Sequence, residues 1–135
     1  MTKKELTVRP EGKAVAEVTE FVEDILSSSK IPFRTIAQVN VAIDEIFSNI
    51  ALYSGATSVT VTCILSDEDI EIEFTDNGKP YDPTKNRDPD TTLSAEEREF
   101  GGLGIFMVRK SMDDISYVYR DNKNILTIRK VRKKE

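Results

Sequence analysis

The chain has 135 residues, of which 39% are hydrophobic and 32% are charged, and its formal net charge at pH 7 is -5. This length and composition fit one globular domain over residues 1–135 that buries about two thirds of its unfolded surface. An acidic chain lacks the basic surface that supplies most of the affinity for nucleic acids, so we expect protein or small-molecule partners and no direct nucleic-acid contact.

The cysteine and histidine content excludes several kinds of site. The chain contains one cysteine, Cys63, and no histidine. Disulfides, the common zinc sites and histidine-dependent triads are therefore excluded within one chain, and Cys63 is expected to be a buried, unreactive core residue. No apolar run approaches the roughly 18 residues of a membrane span, and no signal-peptide pattern is present, so we expect a cytoplasmic protein without membrane contact.

Hydrophobic periodicity predicts the first half of the fold. Alternating apolar and polar residues before Pro10 predict a short first strand, whose proline suits either a sheet edge or the end of a strand. Apolar residues three and four apart then predict amphipathic helices over 13–29 and 34–53. Gly55 is expected to end the second helix in a left-handed cap.

The second half alternates between strands and one further helix. The predicted elements are a hairpin of strands at 59–65 and 70–75, a helix over 105–112, and strands at 115–119 and 125–131, with a turn at 121–124 before the last strand. The segment at 79–100 is too long for an ordinary connection and is typical of a lid or binding segment. This order predicts an α/β two-layer sandwich, whose mixed, largely antiparallel sheet has three helices packed on one face.

Glu45 and Asn49 form the first of three segments that indicate a nucleotide site. Their spacing places both side chains on one face of the second helix, with Tyr53 one turn further. An amide oxygen is a suitable ligand for Mg²⁺, and a neighbouring carboxylate can orient a water or a substrate hydroxyl. An exposed polar pair on a surface helix explains the same spacing. Apolar residues surround this pair on nearly every side, however, which favours a functional role.

The second segment is Asp76-Asn77-Gly78, at the end of a predicted strand. A carboxylate in this position can accept a hydrogen bond from the amino group of adenine, and Gly78 lets the backbone approach the base. A simple chain reversal explains the same three residues. This segment therefore indicates a nucleotide site only in combination with the other two.

The third segment is Gly101-Gly102-Leu103-Gly104, immediately before an apolar helical run. Exposed backbone amides at a helix N-terminus bind anions, so this segment predicts a phosphate site. A flexible hinge is the alternative, although three glycines ahead of a helix carry a high entropy cost. The three segments in this order together predict a nucleotide site.

These segments resemble the sequence boxes of the Bergerat-type ATPase and kinase superfamily, and specifically of the small anti-sigma-factor serine/threonine kinases of bacterial partner-switching systems. The N box corresponds to Asp44–Asn49, the first glycine box to Asp76–Pro83, and the second to Gly101–Val108 with Met112–Asp114. The resemblance spans nearly the whole chain. It implies a Bergerat-type fold with an ATP lid at 82–100, and an ATP- and Mg²⁺-dependent serine/threonine kinase.

The resemblance also implies roles for individual residues and partners. Glu45 would be the general base that activates a serine of a protein substrate, Asn49 the Mg²⁺ ligand and Asp76 the adenine contact. Gly78 and the backbone of Gly101–Gly104 would line the nucleotide. The implied partners are a sigma factor that the kinase sequesters, an anti-sigma-factor antagonist that it phosphorylates, and a second copy of the chain in a homodimer.

Two positions depart from the family pattern. Many relatives carry a histidine after the N box, where this chain has Tyr53. Relatives often have a Gly-Thr pair near the last strand that touches the nucleotide, where this chain has Lys123-Asn124. Either Asn124 substitutes for this contact, which is the interpretation adopted for the predicted nucleotide site, or the contact is lost.

Two functions from different classes fit these observations. The first is the kinase; the alternative is a nucleotide-gated module that keeps ATP binding and the lid to control a protein interface, with little or no transfer. A Glu45→Gln variant separates them: loss of phosphorylation with intact ATP binding supports the kinase, and unchanged regulation of the partner by nucleotide supports the module. A third possibility, a domain that binds no nucleotide, requires an undetectable ATP complex in a folded sample.

Overall fold

The computed structural model describes residues 1–85 and 102–132, with the backbone alone for 102–104. The five predicted strands and the three predicted helices are all present. In chain order the elements are β1 (Thr2–Val8), α1 (Ala14–Ser28), α2 (Phe33–Asn49), a π-helical turn (Ile50–Ser54), β2 (Val59–Leu65), β3 (Asp69–Asp76), a 3-10 turn (Pro83–Lys85), α3 (Gly102–Ser111), β4 (Asp114–Arg120) and β5 (Lys123–Val131). Most of the predicted lid lies outside the described residues.

The strands form one sheet in the order β1-β2-β3-β5-β4, and the predicted two-layer sandwich is confirmed. All four pairings are antiparallel. The parallel pairing that a mixed sheet would contain is not found among these strands. The reason is that β4 runs in the same direction as β3, but β5 lies between them and pairs with both.

The helices pack on one face of this sheet. α2 contacts both α1 and α3, and it supplies the fully buried side chains Ile43, Ile46 and Phe47 to the core. Each such side chain contributes roughly 1.5–3 kcal/mol by leaving water. No helix in the described ranges is long and apolar enough to cross a membrane.

The apolar face of the sheet ends at the candidate site, as the pairing of the strands shows. Val61, Phe74 and Leu126 lie side by side on β2, β3 and β5, on the face that meets the helices. Side chains two residues further along a strand return to the same face. On β3 and β5 these positions are Asp76 and Asn124, which are paired with each other. The apolar face therefore becomes polar at one end of the sheet.

The end of α2 differs from the prediction of one continuous α-helix to residue 53. The α-helix ends at Asn49, and the chain continues as the π-helical turn until Gly55, whose φ of 69° confirms the predicted left-handed cap. The Ser54 hydroxyl donates to the Ile50 carbonyl at 2.7 Å and accepts from the Ala56 amide at 3.0 Å. These two bonds hold the widened turn, and their contribution is invisible to hydrophobic periodicity.

The turn before the last strand is shorter than predicted. Asp121 and Asn122 have positive φ values of 54° and 62° and form a two-residue turn between β4 and β5. Aspartate and asparagine adopt this conformation more readily than most residues, and it matches the twist of a hairpin. Lys123 and Asn124 therefore belong to β5 and not to the turn.

Cys63 is fully buried on the apolar face, as predicted. Burial raises the pKa of its thiol to about 11. At pH 8 the thiolate fraction is therefore very small, and the sulfur is also inaccessible. We expect iodoacetamide to leave Cys63 unmodified in the folded protein and to label it fully in urea, as measured by mass spectrometry. Labelling of the folded protein at the rate of an exposed cysteine would contradict this assignment.

Candidate functional site

A cleft opens where the end of α2 faces the end of β3 and the start of β5. It brings together three predicted site residues from distant parts of the sequence: Asn49, Asp76 and Asn124. Among the described residues, the lining is Ile46, Asn49, Ile50, Ser54, Asp76, Tyr81, Pro83, Tyr117, Asn124 and Leu126. The cleft thus combines apolar walls with a few polar groups, which is the usual composition of a small-molecule site.

Asn49 presents a buried amide without a partner. The side chain is 7% exposed, and its Nδ2 atom has no hydrogen bond within the described residues. A buried polar group left without a partner costs roughly 1–3 kcal/mol. Such an atom in the wall of a cleft fits a site that a ligand completes. The alternative of an exposed surface pair is therefore wrong for Asn49.

Asp76 presents a carboxylate that is fixed through one of its two oxygens. The residue is 4% exposed, and Oδ1 accepts from the Gly78 amide at 2.9 Å and from Asn124 Nδ2 at 3.0 Å. Both side-chain hydrogen bonds of Asp76 within the described residues go to Oδ1. The Oδ2 atom therefore keeps its lone pairs for a ligand in the cleft.

Gly78 lies where the loop after β3 meets the π-helical turn. A Cβ atom at this position would collide with the Ser54 carbonyl oxygen and would lie 2.7 Å from Ser54 Cβ. The close approach allows the Lys79 amide to donate to the Ser54 carbonyl at 2.9 Å. Gly78 is thus required by contact with another segment, and this contact holds the loop beside the cleft.

Asn124 connects β5 to the same loop. Its Nδ2 donates to Asp76 Oδ1 and, at 2.8 Å, to the Lys79 carbonyl, while Oδ1 accepts from the Tyr81 amide at 3.1 Å. The Tyr117 hydroxyl also donates to Asn124 Oδ1. Asn124 therefore lines the cleft, but its amide is engaged by the protein itself.

Glu45 lies one helical turn before Asn49 and is half-buried. It is not among the residues that line the cleft within the described part of the chain. Burial, and secondarily the charge of Asp44, raise the pKa of Glu45 above its ordinary value of 4.5. A carboxylate with a raised pKa binds a proton more readily, which suits a general base.

Two aromatic residues of the site were not predicted from the sequence. Tyr81 lines the cleft, and its ring lies 6.2 Å from the ring of Tyr53 between centroids, at an interplanar angle of 35°. Tyr117 lines the cleft from β4, where its position alternates with exposed residues. The signal for Tyr81 was its place inside the first glycine box, and that for Tyr117 was the period-two pattern of its strand.

The second glycine box is only partly described. Gly101 lies outside the described residues, and Gly102, Leu103 and Gly104 form the first turn of α3. Further along α3, Arg109 donates to the Thr84 carbonyl at 2.5 Å and so joins this helix to the segment where the predicted lid begins. The predicted phosphate contacts of Gly101–Gly104 remain a prediction.

Comparison with known proteins assigns the family. The sequence profile described as the histidine kinase-like ATPase domain matches residues 7–130, and the chain belongs to that family. It is 27% identical over 101 residues to the serine/threonine-protein kinase BtrW of Bordetella bronchiseptica, covering 75% of this chain and 71% of that protein. It is 22% identical over 139 residues to the serine-protein kinase RsbW of Listeria monocytogenes, covering 97% of this chain and 87% of that protein.

Solved structures give the same fold. The RsbU and RsbW domains of Rv1364c from Mycobacterium tuberculosis match with a TM-score of 0.71 at 14% identity, over 99% of this chain and 34% of that one. The histidine kinase AdeS of Acinetobacter baumannii matches with a TM-score of 0.57 at 14% identity, over 99% of this chain and 70% of that one. At these identities the likeness shows the fold. The resemblance drawn from the three sequence boxes is confirmed.

Proposed function

We propose that this protein is an ATP- and Mg²⁺-dependent protein kinase that phosphorylates a serine or threonine of a regulatory protein partner. One observation carries the proposal: a single cleft joins the unpartnered Asn49 amide to an Asp76 carboxylate with one uncommitted oxygen. The relatives named serine-protein kinases support the choice of a serine or threonine acceptor.

The adenine of ATP would bind at the Asp76 end of the cleft. Asp76 Oδ2 would accept a hydrogen bond from the amino group of the base. Ile46, Ile50 and Leu126 supply apolar walls against which the ring can pack.

Mg²⁺ would be held by Asn49 together with the phosphates of the nucleotide. The Mg²⁺ ligand would be the side-chain oxygen of Asn49, because the unpartnered Nδ2 atom is a hydrogen-bond donor that cannot bind a cation and suits an acceptor oxygen of the nucleotide. Within the described ranges no cluster of three or more acidic, cysteine or histidine side chains is present that would hold a metal by itself. In nucleotide sites Mg²⁺ usually keeps several waters and is bound largely through the substrate phosphates, whose charge it neutralises, so it needs few protein ligands.

The Asn49 assignment predicts a loss of magnesium dependence. Asn49→Ala is expected to remove most of the increase in ATP affinity that Mg²⁺ causes, because the side chain that would hold the cation is gone. Calorimetric titrations with ATP in Mg²⁺ and in EDTA measure this increase. Asn40→Ala is the matched control, since Asn40 lies on the same helix, also carries a buried unpartnered atom and does not line the cleft. An equal effect of both substitutions would contradict the assignment.

In the phosphoryl transfer, Glu45 would act as the general base. Its carboxylate accepts the proton of the acceptor hydroxyl, the hydroxyl oxygen bonds to the terminal phosphorus of ATP, and ADP leaves with the former bridging oxygen. The protein contributes mainly by positioning the reactants and by electrostatic support of the transferred group. The raised pKa of Glu45 supports this role.

The partners follow from the family resemblance. We propose that the kinase sequesters a sigma factor, phosphorylates the antagonist that would release it, acts in the cytoplasm and forms a homodimer. Sedimentation velocity measures the size of the particle alone and with each partner. A monomer that binds neither partner would reject this part of the proposal and leave the nucleotide site in place.

A second candidate function has one observation in its favour. Glu45 is not among the described residues that line the cleft, so nucleotide binding is not expected to depend on the proposed base. A module that binds ATP to control a protein interface, with little or no transfer, fits this arrangement.

Phosphoryl transfer decides between the two. The chain would be incubated with terminally labelled ATP, Mg²⁺ and a purified antagonist protein of the partner-switching type. The proposal predicts label on a serine or threonine of the antagonist, located by mass spectrometry, together with an equal amount of ADP. Nucleotide-dependent binding of the antagonist without any label would favour the module.

A further inference from the structure

We infer that Asn124 is a positioning residue that gives the cleft its preference for adenine by fixing Asp76, and that it makes no contact with the nucleotide itself. This inference rests on the proposed function, because it concerns the adenine end of the same cleft. It changes the role that the sequence pattern gave to Asn124, which was a direct nucleotide contact.

The hydrogen-bonding capacity of Asn124 is already used. A primary amide has two N–H donors and an oxygen with two lone pairs. The donors go to Asp76 Oδ1 at 3.0 Å and to the Lys79 carbonyl at 2.8 Å, and the oxygen accepts from the Tyr81 amide and the Tyr117 hydroxyl. Asn124 is also 4% exposed. A contact with a nucleotide would have to break one of these bonds.

The surroundings fix the orientation of the amide. The Nδ2 atom faces three acceptor oxygens, on Asp76, Gly78 and Lys79, at 3.0, 3.4 and 2.8 Å. The Oδ1 atom faces two donors. Reversing the amide would place an oxygen against three oxygens, so only one orientation satisfies the network.

The consequence for Asp76 is a fixed carboxylate. Gly78 and Asn124 both donate to Oδ1, and Oδ2 is the oxygen left for the base. A carboxylate held in this way accepts from the amino group at C6 of adenine and repels the carbonyl oxygen that hypoxanthine carries at C6. If Asp76 were released, it could rotate away from that carbonyl, and the preference for adenine would fall.

Tyr117 supports this arrangement from β4. Its hydroxyl donates to Asn124 Oδ1 and accepts from the Tyr81 amide at 3.3 Å. Burial is the main cause that raises the pKa of Tyr117 above its ordinary value, so the hydroxyl keeps the proton that it donates. Tyr117 therefore acts through Asn124, at one further step from Asp76.

The test measures the ratio of the affinities for ATP and ITP, which differ only in the base. We expect the wild-type protein to prefer ATP by about 10- to 100-fold, the range for one hydrogen bond to a charged group. Asn124→Ala should lower this ratio by about tenfold, mainly through weaker ATP binding. Thr127→Ala is the matched control, because Thr127 lies on the same strand, outside the cleft lining, and should keep the ratio.

A second substitution keeps the inference testable if Asn124→Ala does not fold. Tyr117→Phe removes one hydroxyl from the network and should lower the ratio by about threefold, less than a charged hydrogen bond would give. Tyr119→Phe removes a hydroxyl two residues further along β4, from a side chain that is 40% exposed and makes no hydrogen bond within the described residues, and should leave the ratio unchanged. Unfolding midpoints of all four variants separate this effect from a loss of stability.

Two results would overturn the inference, and they are distinguishable. If the wild-type protein prefers ATP but Asn124→Ala, or Tyr117→Phe in its place, weakens ATP and ITP equally, Asn124 does not act through Asp76. The proposed function then stands without this inference. If the folded wild-type protein binds neither nucleotide, the proposed function fails and the inference fails with it.

Discussion

Replacement of Glu45 by glutamine is expected to slow phosphoryl transfer by about 10²- to 10⁴-fold, the usual contribution of a general base, and to leave ATP affinity unchanged. Glutamine has the same shape but cannot accept the proton of the acceptor hydroxyl. The side chain does not line the described cleft, so nucleotide binding should not depend on it. Single-turnover transfer to the antagonist and calorimetric titration with ATP measure the two quantities.

The pH dependence of transfer provides an independent reading of the same residue. Glu45 acts as a base only when it is deprotonated, and its pKa lies above the ordinary 4.5 because of burial and the charge of Asp44. The rate should therefore fall with decreasing pH at a higher pH than an ordinary glutamate would give. Asp44→Asn removes the neighbouring charge and should move this fall to lower pH.

Stability provides the control for Glu45→Gln. A carboxyl whose pKa is raised by folding is less favourable in its ionised form in the folded protein than in the unfolded chain. The neutral glutamine should therefore not lower the unfolding midpoint at pH 7. Full transfer activity of the folded variant would contradict the role of Glu45 as the base and favour the nucleotide-gated module.

Replacement of Gly78 by alanine is expected to give the largest loss of stability among single methyl additions near the cleft. The new methyl group would collide with the backbone of Ser54, which cannot move without disturbing the π-helical turn. Overpacking of this kind costs about 1–3 kcal/mol. The shift would also break the Gly78 hydrogen bond to Asp76, so ATP affinity should fall as well.

Gly12→Ala is the matched control for this prediction. A Cβ atom at Gly12 meets nothing within 4 Å, and no positive φ restricts the position. Alanine there should be neutral or stabilising by about 0.4–1 kcal/mol, because it reduces the entropy of the unfolded chain. Urea unfolding measures both variants. Equal stability of the two would show that the contact between Gly78 and Ser54 does not constrain the loop.

Much of the fold was predictable because its elements are periodic over many residues. The apolar positions of α1 and α2 recur every three or four residues, and those of β2 and β3 alternate, so each element could be predicted from its own sequence. The same alternation carries Asp76 to the apolar face after Phe74. The three sequence segments predicted a single nucleotide site, and the structure places Asn49 and Asp76 in one cleft.

The remaining details depend on contacts between distant segments. The π-helical turn is held by Ser54, and the requirement for glycine at position 78 arises from Ser54 as well, which no local pattern reports. The position of Asn124 could not be predicted because it depends on the length of the turn between β4 and β5. With a four-residue turn Asn124 would lie in a loop, whereas the two-residue turn places it on β5, opposite Asp76.

The central claim is that ATP binds in the cleft between Asn49 and Asp76. Amide chemical shifts of ¹⁵N-labelled protein, recorded during titration with ATP and Mg²⁺, test it most directly in a chain of 135 residues. The claim predicts saturable shifts at Gly78, Tyr81 and the side-chain amide of Asn49, with little change at Thr62 on the opposite face of the sheet. No shifts at saturating ATP, or shifts confined to that opposite face, would contradict it.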